Sequence, residues 1–462
     1  MKAKLCLHGV DIKHQAQLVG LVKRELAEYK LSYKVSYKVK EKYFDDNDMY
    51  KCRLTRFVPK QPHADLCVIC MWGVLLVSDK PVNVADIVLE YEAGSSMTAG
   101  RVLTFINRLL EGKQCFVLEE PDLSRRIDLL RGRYFLDKLP AYDETTAMTA
   151  LQCHVPWHLY SINKLWEQLL LGGGLQKTVW RQLRVKLRRL RSVLSMVKPL
   201  FGEANVWKLA LKQQADALSS VREYDVLLQT CGRMGLHQAK AEQAVSLSQQ
   251  QARPVVQSTM EPGAGAVPQL QQLLQGLRQQ AQARALQQLQ LNELSYELAR
   301  MLVALQQAAG EKCELGLHEF FSKRLGGWAL KLVQLQDKYG DIRDMEQLHR
   351  VRIKLKRFRY ALQSVPELNA SPKLLRSLKY LQDMLGLVHD DYVNEQYLRQ
   401  LVSAHPELPE LRYEVALLRG WEQAKADVAL EQLAGQWQEF ERLLGEWLEE
   451  LEYRMKYVTS NM

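Results

Sequence analysis

Hydrophobic and polar positions change period about a third of the way along this chain. In the first part, three stretches predict β-strands: Leu31 to Val39 alternates apolar and polar residues, Leu66 to Val77 is a continuous apolar run, and Ile87 to Glu92 is a third candidate. Apolar residues from Ala99 to Leu110 recur with helical spacing. We therefore expect a small α+β domain over residues 1–140.

The remainder of the chain has the pattern of amphipathic helices rich in Leu, Gln, Arg and Glu, with no strand signal. It is interrupted by a Gln-, Ser- and Ala-rich stretch that ends in several Pro and Gly residues, which a regular helix cannot cross. The predicted organisation is a first helical half at 145–238, a linker at 239–269, a second helical half at 270–445 and a C-terminal helical tail at 446–462.

The two helical halves repeat each other. Arg181–Arg191 aligns with His349–Arg359 at an offset of 168, and every basic position from 184 onward is kept. A second match, at an offset of 167, aligns Lys212 and Asp216 with Lys379 and Asp383. So small a change of offset over so long an interval indicates duplication. We expect an all-α region of two pseudo-symmetric four-helix bundles.

A helical wheel separates two stripes on each repeated segment. The apolar stripe, which should face the core, consists of Leu183, Leu187, Leu190, Leu194 and Val197 in the first copy and Val351, Leu355, Phe358, Leu362 and Val365 in the second. The basic stripe consists of Arg181, Arg184, Arg188 and Arg191, matched by His349, Arg352, Lys356 and Arg359. Each helix is thus predicted to present a ladder of positive charge.

The charge of the chain is concentrated in these two segments. The 462 residues carry a formal charge of +10, yet 177–201 and 347–366 together hold +14 and no acidic residue, so the rest is slightly acidic. Basic helix faces are commonly just solvated surface. Here the like charges lack acidic residues one turn away within either segment and recur in both copies, which favours a binding site for a polyanion.

Other classes of partner fit the sequence less well. There is no zinc-finger spacing, no heptad-linked basic region and no interleaving of aromatic and basic residues for base stacking, so we do not expect a nucleic-acid binder. The longest apolar run is 12 residues, too short to span a membrane. Eight thinly spread cysteines suit reduced thiols and a cytoplasmic protein. No cofactor is expected.

Two linked motif sets resemble the CHAD domain over residues 145–445. The second half carries His349-x-x-Arg352-Ile-x-x-Lys356-Arg357-x-Arg359, followed by Leu378-Lys-Tyr-Leu-Gln-Asp and Gly386-x-x-x-Asp390, and the first half carries Gln182 to Ser192 with Val221-Arg222-Glu-Tyr-Asp225 after it. Arg181 replaces the histidine of the family's first repeat, which removes a pH-sensitive group there.

The resemblance implies a basic cavity that binds inorganic polyphosphate, in some members on polyphosphate granules. The residues that match the family's basic helices, and that we expect to bind the phosphate chain, are Arg181, Arg184, Arg188, Arg189, Arg191, His349, Arg352, Lys356, Arg357 and Arg359.

The N-terminal region resembles the later part of a CYTH domain, a β-barrel family whose members can hydrolyse triphosphates with a metal. Glu90 and Glu92 resemble its paired-glutamate strand, and Leu130 to Tyr134 resembles its Arg/Gly/Tyr segment. The family's opening Glu-x-Glu-x-Lys strand is missing, since this chain begins Met-Lys-Ala-Lys-Leu. We expect a diverged domain without enzymatic activity. A metal-dependent triphosphatase with Glu90 and Glu92 as ligands is the alternative, and an exposed glutamate pair without function is another.

Overall fold

The computed structural model describes residues 2–10, 12–28, 33–45, 48–60, 66–112, 115–123, 126–127, 146–171, 177–200, 204–249, 267–288, 291–308, 316–338, 345–365 and 370–460. It divides into two compact units. The first combines Met1–Ala215 with Leu289–Phe321, and the second combines Asp216–Gln288 with Ser322–Met462.

The first unit is built on an antiparallel sheet of six strands in the order β2-β3-β4-β5-β1-β6. The strands are β1 (Lys2–Gly9), β2 (Tyr33–Asp45), β3 (Asp48–Pro59), β4 (Leu66–Val77), β5 (Lys80–Glu92) and β6 (Phe116–Glu119). Two helices accompany them, α1 (Gln15–Glu28) and α2 (Ser96–Glu111).

The positions of the strands follow from their composition. The apolar run of β4 pairs with strands on both sides, as a continuous apolar strand should. Strand β2 alternates lysines with apolar residues and lies at an edge of the sheet, where lysine discourages pairing with other chains. Ser78 and Asp79 adopt positive φ angles in the two-residue turn between β4 and β5, as this type of hairpin requires.

The two faces of the sheet are covered differently. One face carries Leu5, Leu89 and Tyr91, and the Tyr91 hydroxyl donates a hydrogen bond to a helix of the same unit. The opposite face carries Cys6 and Val88, which pack in a core with Leu123 and Ile127.

The helices α3 (Ala147–Leu171), α4 (Lys177–Met196), α5 (Ala204–Ala217) and α8 (Leu291–Gln307) complete the first unit. Ser295 of α8 donates a hydrogen bond to the Phe116 carbonyl (2.8 Å), and Gln306 donates one to the Lys4 carbonyl (2.9 Å). Helix α3 packs against both α4 and α8. The sheet and the helices α3, α4 and α8 therefore form a single packed body.

The second unit is all helical. Its elements are α6 (Ser219–Gln249), α7 (Pro268–Gln288), most of α9 (Leu317–Lys338), α10 (Met345–Gln363), α11 (Pro372–Ala404) and α12 (Pro409–Ser460). Helix α6 packs against α7, and α11 packs against both α10 and α12. Buried side chains of α6, α7, α11 and α12 form one core, within which Leu270 and Leu398 are fully buried. None of the helices in the described ranges is long and apolar enough to cross a membrane.

The predicted order, an α+β domain followed by an all-helical region, is confirmed. The strand predicted at Leu66–Val77 has those bounds, and the helix predicted at Ala99–Leu110 lies within α2. The predicted linker is helical at its two ends, up to Gln249 and from Pro268, and residues 250–266 lie outside the described residues. The tail continues α12 without a break as far as Ser460. The domain bounds themselves stay a prediction.

Candidate anion-binding site

Helices α4 and α10 are held in place by the apolar stripes predicted from the sequence. In α4, Leu183, Leu187 and Leu190 are fully buried, and in α10, Leu355 and Phe358 are at most 1% exposed. Burying these residues fixes the rotation of each helix about its axis, because their side chains lie on one face. The rotation in turn decides where the basic residues point.

The basic stripe of α4 is half-buried along most of its length. Arg184, Arg188 and Arg191 are partly buried, whereas Arg181, near the start of the helix, is exposed. Partial burial restricts the guanidinium groups and reduces their hydration, which strengthens their attraction for an anion. Within the described part of the chain, the buried Nε–H of Arg188 has no hydrogen-bond acceptor.

The basic stripe of α10 is half-buried in the same way. His349, Arg352, Lys356 and Arg359 all have intermediate exposure. A guanidinium nitrogen of Arg352 lies 3.4 Å from a carboxylate oxygen of Asp390 on α11, a partner that the helical wheel could not indicate.

Two histidines, His349 and His389, lie close to the positive charges of this stripe. The His349 and His389 rings lie 4.4 Å apart, centre to centre. Burial, reinforced by Arg352, His349 and Lys356, lowers the pKa of His389 to about 4, and burial together with Arg352 and Lys356 lowers the pKa of His349. Burial disfavours charge of either sign, whereas the positive charges of Arg352 and Lys356 favour an anion at the same place.

A cavity of about 650 Å³ lies between α3 and α4 in the first unit. Its lining residues are Glu119, Trp157, Tyr160, Ser161, Lys164, Leu165, Gln168, Thr178, Arg181, Gln182, Val185, Lys186 and Arg189. Of the predicted binding residues, it therefore brings together Arg181 and Arg189. The partly buried Arg184, Arg188 and Arg191 are not among its lining residues, so of the basic stripe of α4 only Arg181 is among the described residues that line it.

Tryptophans pack against the basic helices in both units. The Lys186 ammonium lies 3.6 Å from the centre of the Trp157 ring, and the Arg357 guanidinium lies 4.1 Å from the centre of the Trp328 ring. Burial, and next to it the charge of Arg324, lowers the pKa of Arg357. Sequence reasoning selected Arg357 but not Lys186 or either tryptophan, and the only signal was that the repeat keeps Lys186 basic.

The carboxylate predicted as a metal ligand is engaged in ion pairs. Glu90 stands opposite Lys4 in the pairing of β1 with β5. One Glu90 oxygen lies 2.9 Å from the Lys4 ammonium and the other lies 2.7 Å from the Arg56 guanidinium. Burial alone would raise the pKa of Glu90, but Lys4 and Arg56 outweigh it and hold the pKa below its usual range.

These residues do not fit a divalent cation. Glu92 is exposed and paired in register with Lys2, so lysines stand where a metal site would need further carboxylates. The described ranges contain no group of three or more His, Cys, Asp or Glu side chains placed to hold a metal. The Arg131 and Arg133 that resemble the CYTH segment lie outside the described residues.

A buried charged network in the sheet was not predicted. Asp86 accepts a hydrogen bond from Arg126 at 2.6 Å and lies 2.7 Å from His8, and Arg126 also pairs with Glu119 at 3.1 Å. Burial opposes the charge on Asp86, but Arg126 and His8 hold its pKa below normal. The contributing residues are far apart in sequence, so no local pattern signals the network.

Comparison with known families and solved structures shows which proteins this chain is similar to. The CHAD domain model matches residues 164–399, and the chain belongs to the CHAD domain family. The crystal structure of the CHAD domain from the plant Ricinus communis is 20% identical, with a TM-score of 0.51, and the match covers 66% of this chain and 94% of that one. PptA from Streptomyces chartreusis is 16% identical, with a TM-score of 0.43 over 64% of this chain and 100% of that one. Comparison with curated proteins gives no match. The N-terminal β-rich domain fits a CYTH-like fold.

Proposed function

We propose that this CHAD protein binds inorganic polyphosphate through the basic stripes of α4 and α10. The observation that carries the proposal is that both stripes, Arg184–Arg188–Arg191 and His349–Arg352–Lys356–Arg359, are half-buried and set by a fully buried apolar stripe on the same helix. Residues three and four apart project the same way, so each stripe matches a linear ligand with closely repeated negative charges.

The chemistry of the stripes supports a phosphate chain over other anions. Guanidinium groups donate two parallel hydrogen bonds to phosphate oxygens, and such charge-assisted bonds are among the strongest in water. Arg352 and Lys356 add to the effect of burial in lowering the pKa of His389, which supports a positive potential beside them. A nucleic acid would gain from stacking platforms, and neither stripe contains a Phe, Trp or Tyr residue.

The protein is proposed to act by binding and not by catalysis, in the cytoplasm and at polyphosphate granules. The ion pairs of Glu90 with Lys4 and Arg56 support this reading, because both carboxylate oxygens are already engaged. A metal-dependent triphosphatase in the N-terminal domain is the competing function.

Charge reversal at matched positions tests the proposal. Polyphosphate affinity is measured for the full chain and for the double variants R184E/R188E and R352E/K356E. Each double variant should bind polyphosphate at least 100-fold more weakly than the parent chain, because each charge-assisted hydrogen bond contributes about 1.5–3 kcal/mol. Raising the salt concentration should weaken binding of the parent chain steeply, and less steeply in the variants.

Two exposed lysines provide the control. Lys198 follows α4 and Lys354 lies on α10 away from the basic stripe, and both are exposed. The variant K198E/K354E has the same change of net charge as either double variant. If it weakens binding as much as the stripe variants do, attraction is diffuse and the proposed site is wrong. Equal affinity for single-stranded RNA, at equal phosphate concentration, would instead favour a nucleic-acid binder.

A further inference from the structure

The cavity between α3 and α4 has features that a bare phosphate chain does not require. Its volume of about 650 Å³ lies within the range of small-molecule sites, about 300–1,000 Å³. It is confined to the first unit and is formed along the first three turns of α4 and the middle of α3. Its lining combines cations, aromatic rings and neutral hydrogen-bonding groups.

Among the described residues that line the cavity, cations outnumber carboxylates. Arg181, Lys186 and Arg189 line it from α4, and Lys164 lines it from α3. Glu119 is the one acidic residue among the described lining residues, and it shares the buried Arg126, at 3.1 Å, with Asp86. The Lys164 ammonium also forms an ion pair, at 3.1 Å, with Glu167, which is not among the lining residues. The net field favours an anion.

The aromatic residues define the rest of the ligand. Trp157 is half-buried and Tyr160 is buried, and both line the cavity. The Lys186 ammonium rests over the Trp157 ring at 3.6 Å, which is a cation–π contact. A phosphate would attract Lys186 away from the ring, and the exposed ring face could then stack on a planar group.

The neutral lining groups match the edge of a heterocycle. Gln168 and Gln182 carry amides that both donate and accept hydrogen bonds, and Ser161 and Thr178 carry hydroxyls that do the same. Inorganic phosphate has only acceptor atoms when fully ionised, so amide carbonyls would gain nothing from it. A purine or pyrimidine carries both donors and acceptors.

We propose that this cavity binds a nucleoside phosphate, with its phosphates on Arg181, Lys186 and Arg189 and its base against Trp157. The site shares Arg181 with the basic stripe of α4, whereas Arg184, Arg188 and Arg191 do not line it. A single chain would accordingly hold a phosphate polymer on these three arginines and a nucleotide in the cavity beside them.

Calorimetric titration of the full chain in metal-free buffer tests the proposal, with ATP, inorganic triphosphate and adenosine as probes. ATP should bind with one site per chain and at least tenfold more tightly than triphosphate, and adenosine should bind weakly. Trp157→Leu should weaken ATP at least tenfold and leave triphosphate unchanged. Lys186→Met should weaken both.

Trp328→Leu is the matched control, because it removes the equivalent ring from the Arg357 pair outside the cavity. ATP affinity should be unchanged in this variant. Absence of ATP binding, equal affinities for ATP and triphosphate, or equal losses in the Trp157 and Trp328 variants would each overturn the proposal. Retained circular dichroism and an unchanged melting temperature in Trp157→Leu exclude a folding defect, and Gln182→Ala provides a second variant of the base-binding wall.

Failure of this proposal is distinguishable from failure of polyphosphate binding. The variant R184E/R188E should lose polyphosphate affinity and keep ATP affinity. Trp157→Leu should lose ATP affinity and keep polyphosphate affinity. If R184E/R188E loses both, one extended surface binds phosphates in general, and a separate nucleotide site does not exist.

Discussion

The Lys186 ammonium and the Trp157 ring form a cation–π pair at 3.6 Å, and the same pairing occurs between Arg357 and Trp328 at 4.1 Å. In each pair the tryptophan precedes the cation by 29 residues. The repeat aligns Lys186 with Lys354, however, and Arg357 with Arg189. The two halves thus place a tryptophan against the basic helix at positions about one turn apart, and the first pair lines the cavity between α3 and α4.

This environment makes Lys186 chemically distinctive. Burial, with a smaller effect of Arg189, lowers its pKa to about 8, against an ordinary value of about 10.4. At pH 8 about half of the Lys186 side chains are therefore neutral and nucleophilic. We expect an amine-acylating reagent at limiting concentration to label Lys186 at least tenfold faster than the exposed Lys354, as measured by peptide mass spectrometry. A higher rate at Lys354 would contradict the predicted environment.

Polyphosphate affinity should increase as the pH falls from 8 to 5.5. The pKa of His389 is about 4 in the free protein, so the ring is neutral above pH 5. A bound phosphate would offset Arg352 and Lys356 and raise the pKa of both His389 and His349, so binding takes up protons and strengthens with acidity. His389→Gln should flatten the measured pH profile and change affinity at pH 8 by less than about threefold. A profile that is unchanged by this substitution would assign the pH dependence to another group.

Arg126→Met should destabilise the first unit strongly. The substitution leaves the Asp86 carboxylate buried without its main counter-charge, a change that typically costs about 3–5 kcal/mol. Urea unfolding at pH 7, followed by circular dichroism, should show a large decrease in the midpoint. The double variant R126M/D86N should recover part of the loss, because the buried Asp86 charge is removed together with its counter-charge, whereas Glu119 still lacks its Arg126 partner.

The same network predicts acid sensitivity. Because the pKa of Asp86 is lower in the folded chain than in the unfolded one, its contribution to stability is present above about pH 4 and is lost as the pH falls through the folded value. Urea midpoints of the parent and of R126M should therefore converge at low pH. Parallel pH dependences of the two midpoints would show that Arg126 does not control Asp86.

Phosphate release from triphosphate in the presence of Mg²⁺ or Mn²⁺ should not exceed the uncatalysed rate. The reason is structural: Lys4 and Arg56 occupy the two oxygens of Glu90, the carboxylate that a metal would need. The pairs are partly exposed, so Glu90→Gln should change stability by less than about 1 kcal/mol. A phosphate-release activity that is abolished by E90Q/E92Q would establish the triphosphatase instead.

Periodicity was a sound guide to the helices because each basic helix buries a single apolar face. Leu183 and Leu187 in α4, and Leu355 and Phe358 in α10, lie in the core as the wheel predicts. Counting charged residues was a weaker guide to the binding site, because a charged residue can form an ion pair with a residue that is distant in sequence. Asp390 beside Arg352 and Lys4 beside Glu90 are both such partners.

The sequence alone predicted the strand at Leu66–Val77, the helix at Ala99–Leu110, the helical second region and membership of the CHAD family, since these depend on local spacing. It did not predict β1, β3 or α1. Only the tertiary structure decided which cations share a surface. Arg181 and Arg189 line a cavity with Trp157, whereas Arg184 and Arg188 of the same helix are not among its lining residues. The tertiary structure also decided that Glu90 faces lysine and arginine. The physical reason is that strand register and the packing of α3 on α4 bring together residues that no sequence period connects.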